Sequence, residues 1–455
     1  MSTEYDVAVI GAGVVGCAIA RELAGYNLRV ALIEARNDVG DATSKASTAI
    51  LHTGFDATPG TLESQLVRRG YELWCDFAQR TQVAVDRTGA LLVAWDEEQL
   101  QTLPRLAEKA RANGYSSTRL VDAAQVYATV PDLGSGARGG LEVPDESVID
   151  SWGAVLALAT DAVNRGVVLH LNARVTGVAE DRSTLHTTAG DFAATWIVNA
   201  AGLGGDVVDA MFGHHRFTLH PRRGELFVFD KLARPKVPVI VLPVPSKVGK
   251  GVLVSPTIYG NVMIGPTAED MEDRLDTATT EAGFEFLLAK GRELMPTLLD
   301  EEVTTTYAGL RAASDRSDFV IELDDRYLVA GCIRSTGVTA SMAIAEHVVT
   351  MLRSAGLQCT EKTQLPAPPT MPYLGESGMR PYADEDRIAA DPAYGEIVCF
   401  CERVTMGEIR DALQATVPAR DLNGLRRRTR AQNGRCQGFF CGAKLREILD
   451  QGVER

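Results

Sequence analysis

A strand, a glycine turn, a helix and a second strand ending in an acid constrain this chain more than anything else in it. Asp6-Val-Ala-Val-Ile10 reads as a strand, Val14 to Ala24 carries helical periodicity, and Arg29-Val-Ala-Leu-Ile33 reads as the second strand. Gly11, Gly13 and Gly16 between them form G-x-G-x-x-G, and Glu34 lies 23 residues beyond Gly11. The motif alone is weak, and a purely structural glycine turn is its alternative reading. In this setting it predicts a βαβ dinucleotide unit. Gly11 allows the tight turn, Gly13 lets backbone approach a pyrophosphate, and Gly16 lets the helix pack on the strand. Unpaired N–H groups at the helix start then face the phosphates. Glu34 can accept from a ribose hydroxyl pair, which disfavours a 2′-phosphate.

With 455 residues the chain has room for two or three domains. Strand-like and helix-like segments alternate through the body, the pattern of an α/β fold. Strand-rich pieces between about 217 and 310, such as Glu225-Leu-Phe-Val-Phe229 and Asn261-Val-Met-Ile-Gly265, predict a sheet-containing substrate domain inserted into the dinucleotide domain. Residues 360–395 hold six of the nineteen prolines and no apolar period, which predicts a linker. Beyond it stands a module of about 60 residues, a size that usually needs a metal or another staple.

Net charge is −14, and eleven basic against eight acidic residues give 396–455 a charge of +3, leaving −17 for the rest. The balance argues against a nucleic-acid surface over the whole chain. No apolar run reaches the roughly 18 residues a membrane span needs. The start, Met1-Ser-Thr-Glu-Tyr-Asp6, lacks the features of a secretory signal, which predicts a cytoplasmic protein.

Two later stretches favour FAD over NAD. Trp196-Ile-Val-Asn-Ala-Ala-Gly202 is a strand ending in small residues, so backbone at Ala201 and Gly202 can lie against a flat ring. Tyr327-Leu-Val-Ala-Gly331 is followed by Arg334-Ser-Thr-Gly337, Val338 and Thr339, opening a helical run through His347. A helix N-terminus there is suited to an anionic reduced flavin. Packing alone is the alternative for each.

Gly40-Asp-Ala-Thr-Ser-Lys-Ala-Ser-Thr-Ala-Ile-Leu-His52-Thr-Gly54 resembles the flavin-contacting segment of the D-amino-acid-oxidase/glycerol-3-phosphate-dehydrogenase superfamily. Its nearest likeness is to bacterial glycerol-3-phosphate dehydrogenases and oxidases and to L-2-hydroxyglutarate oxidases, over most of 5–355. The resemblance implies FAD, bound covalently or not, contacted by Thr43, Ser44, Lys45, Ala46 and Ser47, and oxidation of a substrate C–H over the flavin; no covalent-attachment signature is present, which predicts non-covalent FAD. It also implies a Rossmann-like FAD-binding body over 1–359. Dinucleotide-binding parts fall near 1–85, 145–215 and 311–359, and the substrate domain near 86–144 and 216–310.

Oxidising a secondary alcohol needs a base for the hydroxyl proton, and histidine titrates near working pH. His52 sits in a glycine-flanked loop, and the resemblance places this histidine over the flavin. An anionic substrate needs a fixed cation, and a guanidinium binds phosphate or carboxylate bidentately. Arg311 in Tyr307-Ala-Gly-Leu-Arg311 matches the family's Gly-Leu/Ile-Arg element, which implies contact with the anionic end. A surface salt bridge is its alternative. Ser335 resembles a flavin-side Ser-Pro-Gly-Leu-Thr element in which Thr336 here replaces proline. Lys250 is a second-cation candidate, or a solvated lysine. His214, His215 and His220 read as structural or loop residues.

Of eight cysteines, Cys17, Cys75, Cys332 and Cys359 are scattered and read as small hydrophobes. Cys399, Cys401, Cys436 and Cys441 form C-x-C, a gap of 34, then C-x₄-C. Four thiolates in two close pairs predict a metal site, either zinc or [2Fe–2S]. The pattern, with Glu402 and the Leu425-Arg-Arg-Arg-Thr-Arg430 run, resembles the bacterioferritin-associated-ferredoxin-like [2Fe–2S] module over about 396–450. That module also ends the large subunit of anaerobic glycerol-3-phosphate dehydrogenase. The resemblance implies a small, mostly helical cluster module over 396–455. Thr405 and Glu408 predict a capping box just after the first pair. Arg426, Arg427, Arg428 and Arg430 are expected to offset the cluster's charge, with an exposed basic helix face as the alternative.

Taken together these features predict an FAD-dependent dehydrogenase of a phosphorylated polyol, most simply sn-glycerol 3-phosphate to dihydroxyacetone phosphate. Electrons would leave through the cluster to a redox partner subunit or a quinone-linked acceptor at the inner face of the membrane. A 2-hydroxy acid such as L-2-hydroxyglutarate, an amino-acid substrate, and a non-catalytic flavin–iron carrier are the rival readings.

Overall fold

The computed structural model describes residues 3–245 and 251–451; Lys250 lies outside them. The opening strand, Thr3–Ile10, is the middle of a parallel array. It pairs with Val30–Ile33 on one side and Gly190–Asn199 on the other. Val168–His170 and Tyr327–Gly331 extend the array at its two ends. Antiparallel strands Val175–Val178, Thr184–Thr187 and Val320–Asp324 complete eight. Parallel strands covered on both faces need apolar side chains at every position, and Val30–Ile33 and Tyr327–Gly331 are buried throughout. Alternation sends Val7 and Val9 into one core and Ala8 and Ile10 into the other. Helices Val14–Leu23, Ser151–Asn164 and Gly337–Ser354 cover the first face, with Leu62–Thr81 against the last of them.

A nine-stranded sheet is drawn from two separate stretches of chain. Ala90–Ala94, Arg119–Asp122 and Gly139–Val143 come from the first, and six strands between Leu219 and Ser314 from the second. Its longest pairing joins Leu219–Phe229 to Val303–Ser314, antiparallel. Along the latter Ala308, Leu310 and Ala312 are buried while Gly309 and Arg311 turn to the other face. A small three-stranded sheet brings Ile50–Leu51 and Val85–Asp86 onto Ser147–Ile149.

The proline-rich stretch from 360 is extended, as its composition dictates, yet it is fastened to the body at intervals. Glu361 bridges Tyr26, Lys362 Nζ donates to Arg165 O at 2.6 Å, and Met371 N donates to Thr81 O at 2.8 Å. Glu376 N reaches Ile258 O at 3.2 Å. A short helix, Glu385–Ala390, follows.

The C-terminal module packs helices Met406–Gln414, Leu422–Thr429 and Gly442–Gln451 around Val404, Ile409, Leu425 and Leu445. Thr405 and Glu408 form the capping box. The arginine run differs from expectation. Arg427 and Arg428 point away from the cysteines into the body, where Asp38 accepts from Arg427 Nη2 at 2.6 Å and from Arg428 Nη1 and Nη2 at 2.8 and 2.7 Å. Arg427 also holds Asp41 at 2.6 Å. Arg430 pairs with Glu402 at 2.8 Å and lies 4.2 Å above the Tyr259 ring. Arg426 keeps a charge interaction with a ligand candidate, Cys441. A desolvated guanidinium needs a nearby carboxylate, and the body supplies it.

Candidate active site and cysteine centre

Gly11 has φ +99°, and a Cβ there would lie 2.5 Å from Ala200 O; at Gly16 it would lie 1.8 Å from Gly11 O. Both positions therefore exclude a side chain. At Gly13, by contrast, the nearest atom a Cβ would meet is Ser44 Oγ at 3.4 Å. The helix beginning at Val14 has a glycine at its N-cap and no acid in its first turn, so its positive end is suited to an anion. Glu34 Oε2 accepts from Ala12 N at 2.7 Å and Oε1 from Arg36 N at 2.9 Å. Burial pushes its carboxyl up, and these amides partly offset that. This cradle fits a dinucleotide.

The segment Thr43–Ala46 is a 3₁₀ turn tied to three parts of the fold. Val14 N donates to Ser44 Oγ at 3.0 Å, and Thr43 Oγ1 to Leu310 O at 3.0 Å. Lys45 O accepts from Trp152 Nε1 at 2.9 Å, while Lys45 Nζ pairs with Asp41 at 2.9 Å. Ser47 Oγ accepts from Ala49 N at 3.0 Å. At Gly309 a Cβ would come within 2.7 Å of Ala46 Cβ. The sheet face that carries Gly309 and Arg311 thus lies against this turn.

His52 follows the strand Ile50–Leu51, and its N–H donates to Thr339 Oγ1 at 3.0 Å. Residues 11–16, 34, 43–47 and 309–311 are therefore linked into one region, and His52 is tied to the segment 337–339. Ala201 N bonds Asn199 Oδ1 at 3.1 Å, and Gly202 has φ +56° at the end of the neighbouring parallel strand. Val338 O accepts from Trp74 Nε1 at 2.7 Å, and Gly337 starts the last body helix. Arg334 is engaged elsewhere, donating to Ser317 O at 2.8 Å, and Ser335 is exposed.

A residue the sequence did not announce completes the His52 setting. Glu146 is fully buried; its Oε2 lies 3.0 Å from His52 Nδ1, and its Oε1 accepts from Thr53 N at 2.7 Å and Thr53 Oγ1 at 2.9 Å. A carboxylate here can only accept, so Nδ1 carries the hydrogen and Nε2 is left as the basic nitrogen. The only sequence signal was an acid in a turn, 94 residues away.

Arg311 donates to Thr267 O at 2.7 Å and to Arg223 O at 3.3 Å. Among the described residues no carboxylate lies within ion-pair distance of it. Burial, and then the charge of Arg222, lower its pKa. Asp270 acts on it only at longer range and in the opposite direction, and a cation held by carbonyls with no carboxylate in contact is suited to an anionic ligand.

In the module the thiols meet as two pairs, Cys399 with Cys441 and Cys401 with Cys436; among the described residues no three metal-ligating side chains already surround one point. Burial and the proximity of Cys399 push the Cys441 thiol up to about 12. For Cys436 burial acts the same way, but N–H groups of Phe440, Gly438 and Phe439 and the Cys401 thiol outweigh it and hold the thiol below its ordinary value. Two thiols on each of two irons is the donor set of a [2Fe–2S] cluster, and these residues fit it. Exchanging Cys436 for serine is expected to remove most of the iron found by colorimetric assay while flavin content stays at the wild-type level.

Open glycine cradle, acid at the second strand and histidine–arginine face together define an FAD-dependent oxidoreductase carrying an iron–sulfur module. Residues 6–351 match the family model described as FAD dependent oxidoreductase, and 397–451 match the BFD-like [2Fe-2S] binding domain. The chain belongs to the FAD dependent oxidoreductase family, and its cofactors are FAD and a [2Fe–2S] cluster. It is 36% identical to a glycerol 3-phosphate dehydrogenase of Caloramator mitchellensis over 99% of this chain and 95% of that one. One subunit of the anaerobic glycerol-3-phosphate dehydrogenase of Escherichia coli is 26% identical over 99% of this chain and 89% of its own. A solved L-alpha-glycerophosphate oxidase from Mycoplasma pneumoniae with FAD bound superposes with a TM-score of 0.75 at 27% identity, covering 81% of this chain and 99% of that one. Among the described residues no helix is long and apolar enough to cross a membrane.

Proposed function

We propose that the chain oxidises sn-glycerol 3-phosphate to dihydroxyacetone phosphate. The observation that carries the reading is the His52–Glu146 pair, with Arg311 presented on the sheet face that meets the turn Thr43–Ala46. When bound, FAD supplies the hydride acceptor, and the cluster supplies one-electron transfer onward. His52 Nε2 takes the proton of the secondary hydroxyl, and Glu146 stabilises the imidazolium this creates while keeping the ring oriented. Arg311 holds the phosphate end and so fixes which carbon faces the flavin. Gly11, Gly13, Gly16 and Glu34 would hold the dinucleotide, with Thr43–Ser47, Ala201, Gly202 and Gly337–Thr339 as its further contacts. Cys399, Cys401, Cys436 and Cys441 ligate the iron. Similarity to a glycerol 3-phosphate dehydrogenase along nearly the whole chain supports the phosphate ester over a 2-hydroxy acid. The Escherichia coli relative, itself one component of a larger enzyme, supports a redox partner, which we place at the inner face of the cytoplasmic membrane, with a quinone-linked acceptor beyond it.

Adding substrate without oxygen tests this directly. Glycerol 3-phosphate is expected to bleach the flavin band at about 450 nm within a turnover, with L-2-hydroxyglutarate and amino acids leaving it unchanged. Bleaching by the hydroxy acid alone would reassign the substrate, and bleaching by none would mark a non-catalytic carrier.

A further inference from the structure

Arg311 does not stand alone on its sheet face. In the antiparallel pairing of Leu219–Phe229 with Val303–Ser314, Arg222 is directly opposite Arg311. Directly opposed residues put their side chains on the same face with Cβ atoms about 4.5–5.5 Å apart. Like charges so placed repel, and the proximity of Arg222 contributes to lowering the pKa of Arg311.

The two guanidiniums are also committed differently. Arg311 is fixed by backbone carbonyls, whereas Arg222 is held by one side chain. Its Nε and Nη2 lie 2.5 and 3.0 Å from the two oxygens of Asp270, on the short strand Glu269–Asp270. The side chains of Arg222 and Asp270 are 46% and 61% exposed. An ion pair that open to water is worth little, so an incoming anion can replace the carboxylate. The Arg222 fork is planar and already presents two parallel donors, the geometry a phosphate also takes.

We propose that Arg222 is the second cation of the substrate site and Asp270 its resting counter-ion. Arg222 leaves Asp270 for the substrate's phosphate, so that two guanidiniums face a dianion. A phosphate monoester carries nearly two negative charges at neutral pH and a carboxylate only one. The Arg222–Arg311 pair therefore selects a phosphate ester over a hydroxy acid of similar size. This inference rests on Arg311 holding the anion, as in the function proposed above. It also fills the second-cation role from within the described residues.

The test compares Arg222→Gln, Arg222→Lys and Asp270→Asn with wild-type holoenzyme, using glycerol 3-phosphate with an artificial dye and inorganic phosphate as inhibitor. Losing a charge-assisted contact raises KM by about 10–100-fold, and R222Q is expected to do so while kcat falls far less. Its inhibition by phosphate should weaken in parallel, R222K should recover part of both, and D270N should bind phosphate more tightly than wild type. A readout without turnover accompanies these: the rise in unfolding temperature that added phosphate gives wild type should shrink in R222Q. Wild-type KM and wild-type phosphate protection in R222Q would overturn the proposal, as would a fall in kcat at constant KM that lysine does not rescue. Should wild type ignore glycerol 3-phosphate, the substrate reading fails, and the phosphate-protection comparison still decides the role of Arg222.

Discussion

Replacing His52 with asparagine is expected to lower kcat by about 10²–10⁴-fold, the range a positioned general base contributes, with flavin content unchanged. Flavin content holds because the tie from His52 to Thr339 is made by the backbone N–H, which any residue at 52 other than proline supplies. Glu146→Gln should follow in the same direction with a smaller loss. Its carboxylate serves His52 Nδ1 with one oxygen and Thr53 with the other. A glutamine has a single oxygen, so either the ring or the Thr53 N–H loses its acceptor. Steady-state kinetics with a dye, alongside the flavin spectrum of each variant, checks both. Retention of wild-type kcat in His52→Asn would remove histidine from the chemistry.

The other large effect is on stability. Asp38 is buried and serves Arg427 and Arg428 of the module at once. Removing one partner of a buried ionic group costs about 3–5 kcal/mol, and Asp38→Asn leaves two guanidiniums facing an amide. Denaturant unfolding should show that loss, and limited proteolysis should cut between body and module. The pH dependence has a definite sign. Burial opposes ionisation of Asp38, but the hydrogen bonds and charges of Arg428 and Arg427 outweigh it, and the carboxyl titrates below the ordinary aspartate value. Its contribution is therefore complete above about pH 5, where an unfolded aspartate is almost wholly ionised. It disappears as pH falls further through the folded value. The gap between wild type and Asp38→Asn should be constant near neutrality and close under acid conditions.

What could be read in the sequence was what neighbouring residues decide among themselves. Gly11 to Glu34 is legible because strand, turn and helix are each specified within about ten residues, and the capping box of Thr405 and Glu408 spans only four. The C-x-C and C-x₄-C pairs were legible for the same reason. Glu146 was not, because it reaches His52 through a pairing of Ile50–Leu51 with Ser147–Ile149, strands too short to show a period. The charge of the arginine run was visible but its destination was not. Asp38 is 390 residues from Arg428, and nothing local at either end distinguishes an arginine facing a cluster from one facing the body. The same holds for Arg222, whose meaning depends on the register that sets it against Arg311.

The stitched course of residues 360–380 settles how the tail of the molecule can work. A tether fastened at Tyr26, Arg165, Thr81 and Ile258 leaves no slack for a swinging arm. The cysteine loops therefore keep one address on the surface, and whatever takes the reducing equivalents must come to that berth.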